Sequence, residues 1–169
     1  LIARLKKERE EENCMKQANS NEEPWTHLVH GFPGTGKSEL LSWVRQLFEE
    51  VLGWVHGVQF VFLGYQNSTA AQLDGYTIHH WSGIPARAED GTSGTQNSAK
   101  LSTKCQSLRF IFIDEISMVS AGLLHVLDKD VSQVVRVRNS YKKRPDGSQR
   151  SFGGINVIFL GDFLQIPPV

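Results

Sequence analysis

Cysteine is scarce in this chain. Cys14 and Cys105 are its whole complement, far apart and outside any ligand-spaced motif, which argues against a disulfide framework or a cysteine-bound zinc. With no secretory leader, that scarcity leads us to expect a reducing, intracellular setting. No apolar run is long enough to cross a bilayer, so no membrane partner is expected. Excess charge of either sign is also missing: 18 basic and 18 acidic residues cancel, and affinity for any polyanion must come from local patches. His79 and His80 are adjacent, with no cysteine or acid at ligand spacing, so they read as one packed and one exposed histidine and not as a metal pair. No internal repeat appears, and 169 residues with 40% hydrophobic content are enough for one domain with a sizeable core.

What is present begins with Gly31-Phe-Pro-Gly-Thr-Gly-Lys-Ser38, which fits the phosphate-loop pattern G-x-x-x-x-G-K-[ST]. Leu28-Val-His30 reads as a strand leading in. Leu40, Val44, Leu47 and Val51, with Leu41 and Phe48 beside them, recur at helical spacing from about Lys37. An anion in the loop therefore meets a helix N-terminus. Gly34 and Gly36 tolerate positive φ, letting successive N–H groups turn inward, and the helix dipole adds partial positive charge. The expected nucleotide-binding residues are Gly31, Pro33, Gly34, Thr35, Gly36, Lys37 and Ser38. Lys37 reaches the β- and γ-phosphates, and the Ser38 hydroxyl is placed to be a ligand of Mg²⁺. A plain glycine-rich turn is the alternative, and it leaves the flanking strand and helix unexplained.

Arg109-Phe-Ile-Phe-Ile-Asp-Glu115 reads as a strand buried on both faces that ends at two carboxylates. Ligand sites in parallel sheets lie at that end. Asp114 is expected to hold Mg²⁺, directly or through water, and Glu115 to orient and deprotonate the attacking water. Two solvated acids at a strand end are the alternative. No Asn-Lys-x-Asp string is present to read guanine, and a nucleoside kinase has no need of the second carboxylate, so the expected cofactors are ATP and Mg²⁺.

Ile155-Asn-Val-Ile-Phe-Leu160 is another buried-strand run, followed by Gly161-Asp-Phe-Leu-Gln165 and the stiff pair Pro167-Pro168. Gln165 is a neutral donor suited to sensing the γ-phosphate. The whole string, Gly161 to Val169, resembles the Gly-Asp-Phe-x-Gln-Leu-Pro-Pro-Val signature of the petite-integration-frequency helicases, 5′-to-3′ DNA helicases of superfamily one that include the Helitron transposon helicases. Asp114-Glu-Ile-Ser-Met118 matches their second motif without change. Ser68-Thr-Ala-Ala71, Gly75-Tyr-Thr-Ile-His79 and Trp81-Ser-Gly-Ile84 resemble the segment with which that family contacts single-stranded DNA, which implies that Thr69, Thr77 and His79 lie near DNA. Packing remains the other reading of His79. Where the family has Thr-Gly ahead of the paired alanines, this chain has Asn67-Ser68. Gln17 is the one candidate for the family's adenine-contacting glutamine, and it stands too near Gly31 to be assigned.

The expected fold is α/β, a P-loop NTPase with a doubly wound, mostly parallel sheet. Residues 1–24 read as a charged, solvated helix and linker, and 25–169 as the ATPase domain. Val58 to Leu63 reads as a second buried strand, Arg87 to Thr103 as a long surface loop, and Leu124, Leu127, Val131 and Val134 mark a helix that ends in Arg136-Val-Arg138. Between Asn139 and Arg150, the basic residues Lys142, Lys143, Arg144 and Arg150 either touch backbone phosphates or belong to a solvated insertion.

The resemblance narrows the fold to the first of two RecA-like helicase domains. In that family the second domain brings an arginine finger and half of the DNA track. The lack of an initial methionine and the stop after Pro-Pro-Val lead us to expect a piece of a larger protein. Single-stranded DNA and duplex junctions are the implied partners, nucleus or mitochondrion the implied compartment in a eukaryote, and repair, recombination or telomere maintenance the implied processes. A non-helicase ATPase switch shares the first two motifs but has no use for the third. A degenerate transposon remnant has no reason to keep Lys37, Ser38, Asp114 and Glu115.

Overall fold

The computed structural model describes residues 3, 5–6, 23–85, 98–138, 144 and 146–164. Cys14, Gln17, Lys142, Lys143, Gln165, Pro167 and Pro168 lie outside the described residues. Five strands form one sheet: β1 (Thr26–His30), β2 (Phe60–Gly64), β3 (Tyr76–Thr77), β4 (Phe110–Ile113) and β5 (Asn156–Gly161). Their order is β1-β5-β4-β2-β3 and every pairing is parallel. Helices α1 (Lys37–Gln46), α2 (Asn67–Gln72), α3 (Ile78–Ser82), α4 (Ser98–Cys105) and α5 (Ala121–Arg138) fill the crossovers.

Alternation along the strands divides the core in two. Phe60 and Phe62 of β2 and Phe110 and Phe112 of β4 face Leu41 and Val44 of α1 and Phe48 of the π-helical turn Leu47–Val51 that continues it. Val61, Leu63, Ile111 and Ile113 face the opposite way, onto Trp81, Leu101, Leu123, Leu127 and Val131. Helices thus cover both faces, as a doubly wound sheet requires. Asn156, fully buried in β5, ties the strands at their start: its Oδ1 accepts the Trp25 N–H at 2.9 Å and its Nδ2 donates to Arg109 O at 3.0 Å. No helix among the described residues is long and apolar enough to cross a membrane.

Several expectations need correction. The stretch read as a loop through Thr103 contains α4, because Leu101 and Cys105 stand one helical turn apart and bury against α3 and α5. Lys104 fastens that helix, donating to Trp81 O at 2.7 Å, and burial pushes the Cys105 thiol up to about 12. Val58 precedes its strand, in a turn where it is 42% exposed. The N-terminal helix is not wholly solvated, since Leu5 packs in the core group of Phe48. In the basic stretch, Arg144 donates to both carboxylate oxygens of Glu23, at 2.8 and 3.2 Å. Arg150 is buried with its Nε 3.5 Å from the same group, so these two arginines are held by protein and are not a solvated excess.

Candidate active site

Parallel strands send the loops after β1, β4 and β5 out of one edge of the sheet. A cleft of about 400 Å³ opens there, lined by Gly34, Lys37 and Ser38 from the loop and by Asp114 and Glu115 from the end of β4, with Asp162 alongside.

Loop conformation follows from its glycines. Gly34 and Gly36 take φ of 75° and 87°, the left-handed region where a Cβ is penalised. Gly36 gives α1 no side-chain cap, so no side chain competes with an anion for the N–H groups of the first turn. The Thr35 hydroxyl donates to Phe32 O at 2.8 Å, and Gly31 N–H to Gly161 O at 3.3 Å, which pins the base of the loop to β5. Lys37 turns back on its own loop, its ammonium donating to Gly31 O at 2.6 Å and Phe32 O at 3.0 Å.

The acidic side is built on buried chain. Asp114 is 7% exposed, and burial pushes its carboxyl above the usual range. The Glu115 N–H, donating to Oδ1 at 2.9 Å, and the charge of Lys37 oppose that rise, while the charge of Glu115 adds to it. Glu115 itself has φ 53°, a left-handed conformation that costs a residue with a Cβ about 1–2 kcal/mol. The 3-10 turn Ile116–Met118 fixes it there, with Met118 N–H donating to Glu115 O. Gly161 permits this turn to approach, since a Cβ on it would lie 2.9 Å from Ile116 Cγ2.

The residues read as lying near DNA fall into two groups. Thr69 is buried beside the cleft, its hydroxyl donating to Glu115 Oε2 at 2.8 Å. Thr77 caps α3 by accepting the His80 N–H at 3.2 Å. His79 is half-buried, edge-on to Tyr65, while His80 is exposed and stacked on Tyr76. Sequence reasoning missed Asp162, 3% exposed in the cleft lining, and the Thr69–Glu115 contact. Asp162 stood inside a quoted motif, so its carboxylate at a strand end was the available signal.

The family model for PIF1-like helicases matches residues 6–169. The chain belongs to the PIF1-like helicase family. It is 34% identical over 149 residues to the ATP-dependent DNA helicase PIF6 of Trypanosoma brucei brucei, covering 84% of this chain and 16% of that protein. With the ATP-dependent DNA helicase PIF1 of Saccharomyces cerevisiae it shares 31% over 165 residues, 95% of this chain and 17% of the relative. With human PIF1 it shares 33% over 148 residues, 82% of this chain and 19% of the relative. The PIF1-like chain therefore spans less than a fifth of these relatives. Among solved structures, unliganded Pif1 from a Bacteroides species superposes with a TM-score of 0.65 at 23% identity, over 95% of this chain and 32% of that one, and shares its fold. Bacteroides Pif1 in complex with ADP-AlF3 and single-stranded DNA matches with a TM-score of 0.62 at 25% identity, over 95% of this chain and 32% of that one. The PIF1-like fold is the RecA-like P-loop fold, in which β5 separates the phosphate-loop strand from the acidic strand.

Proposed function

We propose that this chain is the ATP-binding half of a DNA helicase that couples ATP hydrolysis to 5′-to-3′ movement on single-stranded DNA and to duplex unwinding, in repair, recombination or telomere maintenance. The carrying observation is the single cleft in which the phosphate loop faces Asp114 and Glu115. Family membership supports the nucleotide, and the Bacteroides relative with ADP-AlF3 and single-stranded DNA supports both ligands.

The loop N–H groups and the α1 N-terminus hold the β-phosphate, and Lys37 exchanges its two loop carbonyls for the β- and γ-phosphate oxygens. Ser38 and Asp114 offer the hard oxygen donors that Mg²⁺ takes, and the ion supplies charge that offsets the phosphates. Glu115 accepts a proton from the attacking water. Gln165, in the segment after β5, reads the γ-phosphate, and Thr77 and His79 face the DNA strand. Action on chromosomal or organellar DNA places the protein within the cell.

The test is ATP turnover by the complete gene product with and without single-stranded DNA, beside strand displacement on a 5′-tailed duplex. DNA-stimulated hydrolysis with displacement is expected. Turnover indifferent to DNA points to an ATPase switch, and DNA binding without hydrolysis to an inactive remnant.

A further inference from the structure

Glu115 is gripped from the side by a residue 46 positions earlier in the chain. Thr69 Oγ1 donates to Glu115 Oε2 at 2.8 Å, and among the described residues this is the hydrogen bond that the carboxylate makes. Thr69 is 6% exposed, so water has little access to stand in for its hydroxyl. Its helix is fixed at both ends. At the start, α2 packs tightly on the end of β2, where a Cβ on Gly64 would lie 3.0 Å from Ala70 N and 3.3 Å from Thr69 Cβ. Beyond its C-terminus, Arg45 of α1 donates to Leu73 O at 2.5 Å and Asp74 O at 3.1 Å, its guanidinium lying over the Phe62 ring. Thr69 and Glu115 both line the cleft.

A lone carboxylate on a flexible stem rotates about its last torsions, and proton abstraction needs one oxygen held on line with the water. A rigid donor on Oε2 stops that rotation and leaves Oε1 to receive the proton. We propose that Thr69 is the positioning residue for Glu115, acting through this hydroxyl and joining the segment 67–79 to the hydrolysis step. The inference rests on Glu115 being the base, as read above. It moves Thr69 from the DNA-contacting set to the nucleotide side of the same segment.

The experiment uses the complete gene product at saturating single-stranded DNA. Thr69→Val keeps shape and burial while removing the hydroxyl, and Thr69→Ser keeps the hydroxyl. Thr69→Val is expected to lower kcat on the order of 10-fold, the scale for losing one hydrogen bond to a charged group, with KM for ATP within about 2-fold. Thr69→Ser should restore kcat, and Thr69→Val added to Glu115→Gln should slow nothing further. An unchanged or faster kcat in Thr69→Val, an equal loss in Thr69→Ser, or an additive loss on Glu115→Gln overturns the proposal. If Glu115→Gln is slow while Thr69→Val is not, this inference alone falls. If Glu115→Gln turns over at the wild-type rate, the base assignment falls and takes the inference with it.

Discussion

The phosphate loop grows from an exposed strand and the acidic pair from a wholly buried one. Leu28 of β1 is 51% exposed and Phe32 just after it 56%, whereas Phe110, Ile111 and Ile113 of β4 are each 0%. The loop side depends on backbone: left-handed glycines, an uncapped helix start and carbonyls that hold the lysine. The acidic side depends on side chains kept in place by burial and by one long-range hydrogen bond. Phosphate binding needs many N–H donors that remain open to an incoming ligand, and a border strand provides that. Proton transfer needs a carboxylate with one orientation, and packed surroundings provide that. Under the proposed function, binding and chemistry should therefore be separable by mutation.

Lys37→Ala breaks the loop side most severely. Without its cation the loop retains backbone donors but loses its reach to the γ-phosphate, so DNA-stimulated ATP turnover by the complete gene product should fall to background and nucleotide affinity with it. Turnover at the wild-type rate would place the phosphate site elsewhere.

Asp114→Asn makes a smaller change, legible in stability. The folded protein holds the Asp114 proton to higher pH than the unfolded chain, whose reference value is 3.8. Ionisation of this group therefore removes stability as pH rises from about that value through the raised one, and the loss persists at neutral pH. An amide does not ionise and keeps an oxygen for the Glu115 N–H. The variant should lose hydrolysis yet melt about 2–4 °C higher at pH 7, the scale of about 1 kcal/mol in a domain of this size. Near pH 4 the gain should vanish. A gain equal at both pH values would show that burial of the charge is not its source.

The loop side was readable in the sequence because its demands are local. Gly34, Gly36 and Lys37 sit within one motif, and the strand before it and the helix after it carry their own periodicities. The buried strand ending at Asp114 was readable for the same reason. Thr69 was not, because nothing near Ser68-Thr-Ala-Ala71 signals a partner at position 115; the parallel order, with β2 beside β4, brings them together. Composition misled at α4, where Gly, Ser, Thr and Asn surround two core positions, Leu101 and Cys105, one turn apart. Charge misled at Arg144 and Arg150, whose partner Glu23 lies more than a hundred residues away.

The division between a binding side and a chemical side is tested most directly by Glu115→Gln in the complete gene product, with nucleotide affinity and hydrolysis measured on the same preparation. Glutamine keeps the shape and an oxygen for Thr69 but is not a base. Affinity for Mg²⁺-ATP should stay within about 3-fold of wild type while hydrolysis slows by roughly 10²- to 10⁴-fold, the range for loss of a general base. Affinity and hydrolysis falling together by similar factors would contradict the account and make Glu115 part of the nucleotide-binding structure.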